Sequence, residues 1–116
     1  MAPPDVEILT QTSTSWDGSP LPDYPEGPPE VTVARIRIPP DTTLEMHKHP
    51  VISAGLLLRG ELTLVTENGD TIRLGPGDSA TEVVNQWHYG KNEGATTAEL
   101  VVFYAGVDDV PNTIKQ

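Results

Sequence analysis

Over residues 31–38 apolar and charged positions alternate: Ala34, Ile36 and Ile38 fall on one face of an extended chain, Arg35 and Arg37 on the other. Strand side chains repeat with period two, so this pattern predicts a half-buried strand with its apolar face inward. Similar runs predict strands over 44–49, 54–65, 71–74, 79–84 and 98–105. Turn chemistry separates them, at Glu67, Asn68, Gly69 and Asp70 and again at Gly75, Pro76, Gly77 and Asp78. Nowhere do apolar residues recur at helical spacing, and 12 Pro and 10 Gly are scattered along the whole length. Long helices are excluded. Many short strands joined by Gly/Pro turns predict an all-β sandwich or closed barrel, which leaves few strand edges open.

The ends read differently from the middle. Residues 1–30 form a Pro-rich N-terminal arm, within which 15–30 carries Trp16, Leu21 and Tyr24 among Pro20, Pro22, Pro25, Pro28 and Pro29. Proline narrows the unfolded ensemble, and so much aromatic and aliphatic surface predicts an arm that lies against the barrel. The barrel proper is expected over 31–106. The C-terminal tail, 107–116, is polar enough to lie on the surface or reach a partner subunit.

Length and charge narrow the function. A chain of 116 residues has room for one domain and so for one main site. With 7 Lys plus Arg against 17 Asp plus Glu the net charge is -10, which repels phosphate backbones and anionic lipid headgroups. Nucleic-acid and membrane partners are not expected. The absence of Cys removes disulfides, thiolate metal sites and cysteine nucleophiles. No long apolar run or signal pattern is present, which predicts a soluble, cytoplasmic protein; export with the signal removed is the alternative.

The chemistry lies with three histidines. His47 and His49 flank Lys48 in an alternating stretch, so both imidazoles share a face and could hold one ion. His88 is the one remaining imidazole that could join them. Two alternating histidines also occur on solvent faces, and His88 sits between Trp87 and Tyr89, where a packed corner would explain it as well.

Two segments resemble the paired motifs of the cupins. Residues 41–60 are similar to G(X)5HXH(X)3,4E(X)6G, with His47, His49 and Gly60 in register. Residues 77–92 are similar to G(X)5PXG(X)2H(X)3N, with Gly77, His88 and Asn92 in register. The resemblance implies a cupin, or double-stranded β-helix (jelly-roll), barrel with all three histidines at metal-ligand positions. It implies one divalent transition metal, Fe, Mn, Ni or Zn. Asp41, Val83 and Asn85 depart from the Gly, Pro and Gly of the motifs, and Asn tolerates the left-handed backbone that a turn Gly supplies. Ser53 occupies the slot of the family's glutamate, which points to a three-histidine variant. Glu45, two residues before His47, would share its face on an unbroken strand and could supply a carboxylate. Ser53, Gln86, Trp87 and Asn92 are further residues expected near the ion.

The resemblance leaves two function classes. One is an enzyme acting on a small molecule, of dioxygenase type or with Lewis-acid lyase or isomerase chemistry. The other is a non-catalytic cupin that binds a small ligand or metal. Cupins of this size are often homodimers, which is the assembly expected here.

Overall fold

The computed structural model describes residues 2–116 and, among them, contains strands and no helix. In chain order the strands are β1 (Pro29–Ile38), β2 (Thr42–Thr43), β3 (His47–Lys48), β4 (Ile52–Arg59), β5 (Leu62–Thr66), β6 (Thr71–Leu74), β7 (Ser79–Thr81), β8 (His88–Asn92), β9 (Ala98–Val107) and β10 (Ile114–Lys115). One sheet has the order β1-β9-β4-β7; the other runs β10-β3-β8-β5-β6, with β2 also paired to β8. All pairings are antiparallel.

The alternation at 31–38 produces the longest ladder. β1 pairs with β9 from Pro29 opposite Val107 to Ile38 opposite Ala98. Ile36 and Ile38 turn inward while Val31, Val33, Arg35 and Arg37 face out. Buried Ile38, Leu57, Leu62, Leu64, Leu74, Ala80 and Ala98 form the larger core cluster, and Val51, Val102 and Tyr104 a second one. Both clusters lie between the sheets, as the inward faces of two half-apolar sheets require.

Residues 54–65, expected from their pattern to be one strand, are two. Gly60, with φ of 81°, breaks the run, and a Cβ there would lie 2.7 Å from the Thr97 carbonyl oxygen and 2.8 Å from the Ala98 Cα. Only glycine fits that corner without displacing backbone. The stretch 44–49 is also shorter as a strand than its alternation suggests, although Leu44 N still donates to the Gly90 carbonyl at 2.9 Å and keeps the segment against β8. Asp41 and Asn85 both adopt left-handed backbone, with φ of 52° and 55°. Where the family motifs carry Gly, these two short polar residues reproduce the turn.

The two ends of the chain are folded onto the barrel. In the arm, Ser15 is 3% exposed and the Trp16 ring packs on the larger core cluster, whereas Tyr24 stands out at 82% exposure. In the tail, β10 pairs with β3, Ile114 opposite Lys48 and Lys115 opposite His47.

Candidate metal centre

His47 and His88 face one another across the β3–β8 pairing, and His49 follows β3 by one residue. Period-two alternation puts His47 and His49 on the inner face and sends Lys48 outward, where its Nζ lies 4.7 Å above the centre of the Trp87 ring. The imidazole centroids are 4.5 Å apart for His47 and His88, and 5.0 Å apart for each pair that includes His49.

Their hydrogen bonds fix how they point. Nδ1 of His47 meets the Glu45 carbonyl at 2.8 Å, Nδ1 of His49 the Asn112 carbonyl at 2.9 Å, and Nδ1 of His88 the Gln86 carbonyl at 2.9 Å. A carbonyl only accepts, so each Nδ1 carries the proton and each Nε2 is left with its lone pair free. Three imidazoles oriented in this way by their outer nitrogens are the arrangement that metal ligands need. His88 is fully buried, and its Nε2 faces no polar group nearer than a carboxylate 3.3 Å away. The donor atoms of the three all lie within 4.8 Å of one another. Ligands at about 2.0–2.2 Å from a shared ion are at most about 4.4 Å apart, so only a small side-chain adjustment separates this triad from a ligand set. The three histidines could hold one metal ion.

A carboxylate lies beside two of the three imidazoles, and it is one that sequence reasoning missed. Glu82 Oε2 lies 3.3 Å from His88 Nε2 and 4.0 Å from His49 Nε2, and the side chain is 15% exposed. Glu82 follows β7, where Ala54 of β4 pairs with Thr81, and its N–H donates to the Ser53 carbonyl at 2.9 Å. It therefore stands directly across the ladder from Ser53, the slot where the motif places glutamate. The carboxylate comes from the neighbouring strand instead. A signal was available: Glu82 shares the parity of Ala80, whose side chain joins the core.

Burial and charge divide the imidazoles. Burial is the largest influence on His47 and His49 and holds both below the ordinary histidine pKa, favouring the neutral form that binds metals. Burial acts on His88 in the same direction, but the adjacent Glu82 carboxylate outweighs it and raises the pKa. Burial would likewise raise Glu82, yet His88 and His49, together with the Trp16 N–H, hold it below the usual carboxylate range.

The cluster opens into a cavity of about 70 Å³ inside the barrel. Its wall is largely aliphatic, with Ile36, Leu44, Leu62, Leu64, Leu100 and Val102 facing the histidines and Glu82. Tyr104 lines the same space, 5.7 Å from His49 between ring centroids, and burial pushes its phenol pKa up, so it remains an O–H group.

The other residues singled out from the sequence lie elsewhere. Ser53 is fully buried with its hydroxyl unpaired, but it does not line the cavity. The Glu45 side chain is 77% exposed and reaches toward Lys115 at 4.0 Å, because the strand is broken before His47; only its carbonyl serves the site. Gln86 likewise contributes its carbonyl, and Trp87 packs under Lys48 on the outer side. Asn92 is buried away from the ion, where its Nδ2 donates to the carbonyls of Ile38 and Thr96 and its Oδ1 accepts from Gly94 N. It ties the loop after β8 to the end of β1.

Comparison with known proteins agrees with this architecture. Oxalate oxidase in complex with the substrate analogue glycolate superposes with a TM-score of 0.63 at 22% identity, over 73% of this chain and 45% of that one. An uncharacterized conserved protein with a double-stranded β-helix domain from Klebsiella pneumoniae gives 0.64 at 22% identity, over 73% of each chain. The DMSP lyase of Ruegeria pomeroyi gives 0.65 at 19%, over 85% of this chain and 47% of that one. The chain thus spans less than half the length of the oxidase and the lyase. Comparison with curated proteins finds no match. The family model of the cupin domain matches residues 34–104, which contain all three histidines, Glu82 and both sheets' central strands. With that match over more than half its length, on a double-stranded β-helix built around inward-facing histidines, the chain belongs to the cupin family.

Proposed function

We propose that this cupin binds one divalent transition metal (Fe, Mn, Ni or Zn) through His47, His49, His88 and Glu82 and acts on a small chelating molecule held in the cavity beside it. The observation that carries the reading is the orientation of the imidazoles: three Nδ1–H groups anchored on carbonyls leave three Nε2 lone pairs directed together. The buried Nε2 of His88 faces only a carboxylate, and in the neutral ring its lone pair is unsatisfied unless something binds it. One water needs about 10–15 Å³ of cavity measured this way, so the space suits about five waters or a molecule with a few carbons. The aliphatic wall favours a ligand with a polar, metal-seeking end and an apolar remainder.

The bound metal would supply Lewis acidity, or with Fe or Mn a centre for oxygen chemistry. The chain's own residues do the rest. Glu82 brings a negative charge to the ion, the aliphatic wall excludes bulk water, and Tyr104 offers a neutral hydroxyl to an anionic group on the ligand. The similar oxalate oxidase and the DMSP lyase are consistent with small acids as ligands. A second copy of the chain would cover the outer face of the β1-β9-β4-β7 sheet, where Val31 and Val33 are 63% and 67% exposed and Phe103 is 44% exposed.

Protein purified without added metal should carry about one divalent ion per chain by elemental analysis. It should then turn over one of a panel of small acids, diketones and thiols, followed by oxygen uptake and product analysis. Metal content near zero that added metal does not raise would refute the site. Full metal content with binding but no turnover across the panel would place the protein among non-catalytic cupins.

A further inference from the structure

The two carboxylate oxygens of Glu82 face different partners. Oε2 looks toward His88, while Oε1 accepts a hydrogen bond from Trp16 Nε1 at 3.1 Å. The same short segment grips the backbone around Glu82: Ser15 Oγ donates to the Glu82 carbonyl at 2.8 Å, and Trp16 N to the Thr81 carbonyl at 2.9 Å. The segment is itself closed, with Thr14 bridged to Pro20 and Ser15 N donating to the Ser19 carbonyl at 2.8 Å. It is a tight hairpin-like turn, and its tip rests on the core through the Trp16 ring.

Indole has one polar function, the Nε1–H, and it can only donate. Here it is spent on the one carboxylate in contact with the histidines among the described residues. A carboxylate free on both oxygens could bind an ion through either or both, or swing toward solvent. With Oε1 engaged, only Oε2 is left to face the imidazoles.

We infer that Trp16 is a positioning residue of the metal centre: its N–H holds Oε1 so that Glu82 presents a single oxygen to the ion. The inference rests on the reading of Glu82 as a ligand. It also assigns the arm a role, since Trp16 lies outside the 34–104 stretch that the family model covers.

The test uses the full chain, freed of metal, with Co2+ alone as the probe. Affinity is read by chelator competition, and coordination by the visible absorption of the ion. Four proteins are compared: wild type, Trp16→Phe, Glu82→Gln and the double variant. Partners that orient a ligand typically change metal affinity by about 10–100-fold, so Trp16→Phe is expected to weaken binding on the order of tenfold and alter the Co2+ spectrum. In the Glu82→Gln background the same change should have no further effect. If Glu82→Gln binds as tightly as wild type, the ligand reading fails and the positioning role falls with it. If Glu82→Gln is weaker but Trp16→Phe matches wild type, Glu82 stands and the positioning role is overturned. Equal weakening by Trp16→Phe in both backgrounds also overturns it, because the effect then runs through the fold.

A second measurement covers poor folding of Trp16→Phe. The chain has 2 Trp, so Trp87→Phe leaves Trp16 as the sole indole emitter. Its emission should shift on Zn2+ addition with the midpoint of metal binding, and Glu82→Gln should abolish the shift. Unchanged emission at saturation would overturn the inference.

Discussion

The arm and the tail both reach the histidine cluster, and each holds a different part of the site. The arm holds Glu82, through the Ser15 hydroxyl and the Trp16 indole. The tail holds His49: the Asn112 carbonyl accepts a hydrogen bond from its Nδ1, the Thr113 hydroxyl lies 3.2 Å from the same nitrogen, and β10 lies beside His47. Neither segment belongs to the 34–104 stretch that identifies the family. The barrel stretch thus supplies the histidines and Glu82, while the segments outside it make hydrogen bonds to two of these four residues.

The largest effect expected is from His88→Ala, which removes a proposed ligand and sets the scale for the flanks. Metal content should fall from about one per chain to near zero with the β-sheet circular dichroism kept; full occupancy would end the assignment. Ending the chain after Pro111 should come next. It takes away the carbonyl that orients His49 and the strand beside His47, and chelator competition should show metal binding weaker by about 10–100-fold. If this truncation leaves affinity unchanged, the tail only covers the barrel, and the symmetry between the two ends is lost.

Acid should affect the metal-free protein in a graded way. His47 and His49 have depressed pKa values when folded, so the unfolded chain takes up their protons first, and stability is lost as pH falls below 6.5 through the folded values. His88 has the opposite sign: paired with Glu82 its pKa is raised, so its contribution is present below 6.5 and fades as pH rises through the folded value. Glu82→Gln removes that opposition. The unfolding free energy of the variant, read by denaturant titration, should therefore drop more steeply between about pH 6.5 and 5 than that of wild type, by up to about 1.4 kcal/mol per pH unit for the extra proton. Parallel curves would mean that Glu82 does not set the charge of His88. The smallest effect on the site is expected from Val33→Glu, on the far side of the β1–β9 ladder. It should turn a dimer into a monomer by light scattering at micromolar concentration while metal affinity stays the same. A wild-type protein already monomeric there would remove the proposed second copy.

The parts of this fold legible in the sequence were those with a strong local period. Ile36 and Ile38 alternate with Arg35 and Arg37, and β1 follows from them. The left-handed turn at Asn85 was likewise readable, since Asn accepts that backbone where Gly is missing, and Asp41 proves to do the same. The break at Gly60 was not, because the reason for it is the backbone of Thr97 and Ala98, far along the chain. The three histidines emerged from spacing and motif together. Glu82 did not, because its role depends on the β4–β7 register that sets it across from Ser53. Ser53 was singled out by its slot in the motif and Glu45 by standing two residues before His47, whereas the carboxylate that meets the imidazoles comes from the segment after β7.

All three histidines donate a hydrogen bond from Nδ1 to a main-chain carbonyl, those of Glu45, Asn112 and Gln86. A carbonyl is the same whatever side chain its residue carries, so substitution of the exposed Glu45 would leave the His47 imidazole aimed as before. A mutational scan would pass over that position in silence. Insertion or loss of one residue beside any of the three would instead shift the carbonyl by a residue's length and turn the ring. The aim of this centre is therefore written in loop length more than in residue identity, and homologues that keep every histidine but differ by one residue near 45, 86 or 112 are where its chemistry should first diverge.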